Sequence, residues 1–69
     1  MTASQKVEMA LSYARINKSE LARRLNTTPQ NLRLKFMRNS FRPEDLEEIA
    51  RVIGAGFDYK FEFPDGTLI

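Results

Sequence analysis

The chain has 69 residues, 42% of them hydrophobic and 29% charged, which fits one small folded domain and argues against general disorder. It has neither cysteine nor histidine. Disulfide staples and thiolate metal sites are thereby excluded, and the commonest general base and the thiol nucleophile are missing. No apolar run approaches the roughly 20 residues of a membrane span, and residues 1–10 lack a basic region leading into an apolar core. The expectation is therefore a cytoplasmic protein with no membrane partner, no signal peptide and no cofactor.

A net charge of +2 conceals a segregated distribution. Residues 15–42 hold eight basic side chains (Arg15, Lys18, Arg23, Arg24, Arg33, Lys35, Arg38 and Arg42) against Glu20 alone. Residues 43–69 hold seven acidic side chains against Arg51 and Lys60. A basic middle followed by an acidic tail suggests a polyanion partner for the middle, although an unevenly charged solvated surface accounts for the same count.

In chain order, Thr2 and Gln5 have capping-box spacing, and Val7, Ala10, Leu11 and Ala14 follow at helical intervals, predicting a helix over about 3–15. Asn17 is placed as the next N-cap with Glu20 three residues on. Leu21, Ala22 and Leu25 form the inward face of a short helix over about 18–25. Asn26 ends it in the left-handed conformation. Thr28 caps a third helix over about 29–38, Pro29 takes its first position, and Leu32 and Phe36 face inward. Pro43 opens a fourth helix with Glu44 and Asp45 in its first turn and Leu46, Ile49, Ala50 and Ile53 on its apolar side. Gly54-Ala55-Gly56 stops it.

The period then changes to two. Phe57, Tyr59, Phe61 and Phe63 alternate with Asp58, Lys60 and Glu62, which predicts a strand. Pro64-Asp65-Gly66 predicts a turn, with Thr67, Leu68 and Ile69 returning. The expected fold is mainly α: four helices over 1–56 with a C-terminal β-hairpin over 57–69. The aromatic face of that hairpin would lie on the helices near Ile49, Val52 and Ile53. Its edge strand would pair with a second copy in an intermolecular sheet, making Phe57, Tyr59, Phe61 and Phe63 dimer-interface residues. A monomer with the hairpin folded on its own helices is the alternative.

Two short helices joined by Asn26-Thr27-Thr28 make a helix-turn-helix over about 18–38. Its sequence, NKSELARRLNTTPQNL, resembles the DNA-binding core of the Cro/C1-type (phage repressor-like, XRE) family, over roughly residues 4–54. The resemblance implies an all-helical repressor-like domain whose third helix lies in the major groove and reads bases from its N-terminal half. Gln30 occupies a leading position where the family commonly places a polar side chain on base edges, and Lys18 and Ser19 match positions that bind the phosphate backbone. From their chemistry and placement, Asn31 can bond a base or phosphate, Arg33 can reach guanine or phosphate, and Leu34 can touch a thymine methyl. Thr28, Lys35, Arg38 and Arg42 extend the expected phosphate track, with Arg23 and Arg24 as weaker candidates. Asn26 stands where the family commonly has glycine, and Leu34 where a polar residue is usual.

Simpler roles sit beside these. Thr28 and Asn17 are accounted for by capping, Pro29 by its position, and any single arginine by solubility. The expected function is a sequence-specific, non-enzymatic, double-stranded DNA-binding regulator of transcription, repressor-like and homodimeric, with no small-molecule ligand. The alternative is a non-catalytic protein-interaction module on the same scaffold, working through its acidic C-terminal part.

Overall fold

The computed structural model of the chain describes residues 2–58 and 61–69. It contains four helices, α1 (Ala3–Ala14), α2 (Lys18–Arg24), α3 (Pro29–Arg38) and α4 (Pro43–Ile53). Hydrophobic spacing located all four to within a residue at their ends. The starts are fixed by local polar chemistry. Thr2 and Gln5 form a reciprocal capping box, with Thr2 N–H donating to Gln5 Oε1 at 2.8 Å and Gln5 N–H to Thr2 Oγ1 at 3.1 Å. Asn17 Oδ1 accepts from Glu20 N–H at 2.7 Å, and Thr28 Oγ1 from Asn31 N–H at 3.1 Å. At α4 the cap works in reverse, because Asp45 Oδ2 accepts the backbone N–H of Arg42 at 2.8 Å.

The four ends share one solution. Arg15, Asn26, Asn39 and Gly54 all take positive φ, between 48° and 77°. At each end the next N–H reaches back to a carbonyl of the last turn: Ile16 to Leu11, Thr27 to Ala22, Ser40 to Lys35 and Ala55 to Ala50, at 2.8–3.1 Å. This satisfies carbonyls the helix would otherwise leave unpaired and reverses the chain sharply. Only one of the four positions is glycine. Asparagine fills two of the others, the residue that tolerates left-handed backbone best after glycine.

These reversals fold the apolar faces onto one another. Val7 and Leu11 from α1, Leu21 and Ala22 from α2, Leu32 from α3 and Ile49 from α4 form the core, with Ile16, Leu25, Phe36, Phe41, Leu46, Val52 and Ile53 packed around it. Leu21 is 0% exposed and sits where α2 meets α3 and α4. No polar or charged side chain is buried among the described residues, so packing alone holds the centre.

The C-terminal β-hairpin expected over 57–69 is not formed. Among the described residues there is no strand, and the segment contributes a single antiparallel bridge between Glu62 and Leu68. The chain does reverse at Pro64-Asp65-Gly66, where Gly66 takes φ +90° and donates to the Phe63 carbonyl at 2.9 Å. Phe63 N–H then donates to Thr67 O at 2.8 Å, and Phe61 and Ile69 exchange backbone hydrogen bonds. With only three returning residues there is no length for a ladder and no second face to bury. The aromatic side chains also depart from expectation. Phe57 is half-buried beside α1 and α4, whereas Phe61 and Phe63 are 76% and 48% exposed and do not cover the helices. Tyr59, the fourth of the set, lies outside the described residues. Every residue from 61 to 69 is exposed, and the molecule measures 43 × 24 × 18 Å.

The turn between α2 and α3 carries a direct test. Asn26→Ala places a Cβ-bearing residue without a side-chain amide at φ +58°, at a cost of about 1 kcal/mol, which lowers the melting temperature by roughly 4–8 °C in a domain of this size. Asn26→Gly leaves it unchanged or raised. Thermal unfolding followed by circular dichroism reads both.

Candidate nucleic-acid interface

A helix that reads DNA must present one face to solvent and be held firmly on the other. In α3 the inward line is Leu32 and Phe36, with Lys35 half-buried beside them. At 100° per residue, Gln30, Leu34 and Met37 fall on the opposite side, with Arg33 flanking them on one edge and Arg38 and Asn31 on the other. Gln30, Asn31, Arg33, Leu34, Met37 and Arg38 are all exposed. The helix has no acidic residue anywhere in its ten positions.

Three ties fix its orientation. Thr28 caps the N-terminus. At the C-terminus, the first turn of α1 and the last turn of α3 satisfy one another: Ser4 Oγ donates to the Phe36 carbonyl and Ser4 N–H to Asn39 Oδ1, both at 3.0 Å. The first of these adds to the bond that the Phe36 carbonyl already accepts from Asn39 N–H at 3.3 Å, and the second pairs an N–H that the first turn of α1 leaves without a partner. Between the ends, Lys35 Nζ lies 3.0 Å from Asp45 Oδ2 on the first turn of α4. The Phe36 ring meets Phe41 edge-on at 5.0 Å and lies under the Lys18 ammonium at 4.4 Å.

These ties redistribute the residues expected to touch phosphate. Lys18 forms an ion pair with Glu8 at 2.8 Å as well as resting on Phe36, and Lys35 is committed to Asp45. Thr28 is used as a cap. Arg23 and Arg24 both bond Glu20, and Arg24 Nη1 also donates to the Val52 carbonyl at 2.9 Å, tying α2 to the last turn of α4. Arg42 approaches Asp45 only at 3.9 Å and is largely exposed, while Ser19 is exposed at the start of α2. Arg33 and Arg38 make no ion pair or hydrogen bond with the other described residues. The structure thus brings Gln30, Arg33, Leu34 and Arg38 together on one open face, and places Lys18, Lys35, Arg23 and Arg24 in internal ties.

Met37 was not singled out from sequence, although it is more exposed than any other residue of comparable apolar size on α3. The signal was present: it stands five residues after Leu32, on the far side of the helix from the inward line, and three after Leu34. The ion-pair partners of Lys18 and Lys35 had no such signal, since Glu8 and Asp45 are each ten residues away.

Elsewhere, an apolar groove of about 520 Å³ runs between α1 and α4, lined by Val7, Met9, Ala10, Leu46, Ile53 and Phe57 among others. A smaller cavity of about 150 Å³ lies behind α3, with Asn31, Lys35, Asp45 and Glu48 at its polar side. Among the described residues no cluster of acidic side chains is arranged to hold a metal ion, and no helix is long and apolar enough to cross a membrane. No protein-family model matches the chain, and neither a curated protein nor a solved structure matches it at a significant level.

The Asp45 carboxyl has a pH consequence. Partial burial disfavours its charged form, but the Arg42 N–H and the Lys35 ammonium outweigh burial and hold it below its ordinary value. A carboxyl lowered in the folded state stabilises fully above its unfolded value of about 3.9 and loses that contribution as pH falls through the folded value. Glu20, held at about 2 by hydrogen bonds from Arg23 and then Arg24, stays charged over most of that window. Asp45→Asn is therefore expected to lower stability at pH 7 by about 1 kcal/mol. Its penalty should shrink as pH falls below about 4, as measured by denaturant titration at each pH.

Proposed function

We propose that the protein is a sequence-specific double-stranded DNA-binding regulator of transcription, repressor-like, with α3 as its reading helix. The observation that carries this reading is the outward face of α3. It joins an amide, two apolar side chains and two arginines with no partner among the described residues, on a helix with no acidic residue that is anchored at both ends and at its middle. Charge favours a polyanion there, and the anchoring supplies the fixed geometry that base reading requires. The α2–turn–α3 arrangement agrees with the Cro/C1-type resemblance, in which the second helix of the motif enters the major groove. Arg33 and Arg38 are the phosphate-binding residues of this reading, Arg42 and Ser19 flank them, and Gln30, Asn31 and Leu34 meet base edges. No catalytic role is assigned to any residue.

The same reading makes the active species a homodimer. Phe61, Phe63, Leu68 and Ile69 on the tail, and Met9 and Tyr13 on α1, are exposed large apolar side chains. Large apolar side chains left in water are a common mark of a contact surface. Two copies joined through such residues would offer two reading helices to successive major grooves about 34 Å apart.

One observation favours the other reading, a protein-interaction module. Four of the eight basic residues between 15 and 42, Lys18, Arg23, Arg24 and Lys35, are ion-paired with three carboxylates of the same chain, Glu8, Glu20 and Asp45, which cancel three of the four charges. The available positive charge is therefore smaller than the sequence count. Salt dependence separates the two. On the DNA reading, log affinity for a selected duplex falls linearly with log salt. Arg33→Ala with Arg38→Ala reduces that slope by about two, because each phosphate contact contributes about 0.9. Lys35→Ala lowers thermal stability and changes the slope by less. Retention of no duplex from a random library at low salt would sink the DNA reading and turn attention to the acidic C-terminal side.

A further inference from the structure

The large apolar side chains exposed among the described residues fall into two groups, and only one is explained by contact between copies. Met9, Tyr13, Phe61, Phe63, Leu68 and Ile69 belong to α1 and the tail. Leu34, 39% exposed, and Met37, 70% exposed, stand on α3. With Gln30 they form one line along the outward face at spacings of four and three residues. That line covers about 10 Å at 1.5 Å per residue, the height of about three base steps at 3.4 Å each. Arg33 borders the line on one edge and Arg38 on the other, neither with a partner among the described residues.

An apolar line between two unpaired guanidiniums is a poor fit for an apolar protein surface. Covering Leu34 and Met37 that way would take two positive charges out of water with nothing to balance them. It fits a surface with negative walls and apolar groups on its floor. The major groove is such a surface: phosphates line its edges, and the thymine 5-methyl is the apolar group exposed along its base edges. We infer that Leu34 and Met37 together form a thymine-methyl reader, with Gln30 setting an adenine at the leading end and Arg33 and Arg38 holding the two phosphate walls. Met37 is then a specificity-determining residue, and the half-site is A/T-rich over the three to four base pairs beneath the line. This rests on the DNA reading above and names the chemistry of its target.

The test removes methyl groups and nothing else. A duplex enriched from a random library by the full-length protein is titrated by fluorescence anisotropy, and so is the same duplex with each half-site thymine replaced by deoxyuridine. Uracil pairs identically and lacks only the 5-methyl. The expected result is a loss of about fourfold in affinity per contacted methyl, the ratio that accompanies burial of one methyl-sized apolar group. Two contacts therefore give a loss of roughly fifteenfold for each half-site that is read. The variant Leu34→Ala with Met37→Ala binds the thymine duplex more weakly and no longer distinguishes it from the uracil duplex. Both positions are exposed, and an unchanged melting temperature confirms that the variant folds. Equal affinity of the parent protein for the two duplexes overturns the methyl reading while leaving DNA binding intact. A uracil penalty that persists in the double variant overturns the assignment to these two residues. Failure to enrich any duplex overturns both this inference and the reading beneath it. A fall in molecular mass of the double variant, measured by light scattering with no uracil effect in the parent, assigns the line to a protein contact instead.

Discussion

Burial of Leu21 is the constraint on which the architecture depends. Helix α2 has seven residues, about two turns, too few to persist in water from hydrogen bonding alone. It exists because Leu21 and Ala22 are withdrawn from solvent against the other helices, and because Asn17 and Asn26 define its two ends. The position of α3 follows from α2. The turn that leaves Asn26 is short and fixed, and Leu32 enters the same core from the next helix. The open face of α3 is therefore the far side of a packing decision made at Leu21.

A second layer of interactions trims the orientation that packing sets. Glu20 gathers Arg23 and Arg24 on α2, and Arg24 continues to a carbonyl of α4. Asp45 gathers Lys35 and the N–H of Arg42. Both carboxylates lie near the surface, so their worth is geometric more than energetic. They spend much of the positive charge of residues 15–42 on internal alignment, and the exposed cationic surface narrows to Arg33, Arg38 and a few flanking groups.

The helices were legible in the sequence because their information is local. Thr2-to-Gln5, Asn17-to-Glu20 and Thr28-to-Pro29 each declare a boundary within four residues, and the 3.6-residue repeat of apolar positions declares the face between. The open face of α3 was legible for the same reason, save Met37, whose apolar side chain reads by residue type as core. What was not legible was pairing at a distance: Lys18 with Glu8, Lys35 with Asp45, Ser4 with the end of α3. Those partners are set by how helices cross, which no spacing along the chain records. The tail failed for a different reason. Alternation of aromatic and polar residues from Phe57 to Phe63 has the period of a strand, yet a strand needs a neighbour of matching length, and Thr67–Ile69 offers three residues.

That tail also alters how the molecule moves through solution. Its radius of gyration is 13.2 Å, against about 11 Å for a compact chain of this length. The long axis is more than twice the short one. A body so drawn out diffuses more slowly than a sphere of equal mass, and on a sizing column it emerges ahead of its true position. A single copy can thus pass for something larger. The number of chains in the active species is a quantity to be weighed, by scattering or sedimentation equilibrium, and not timed.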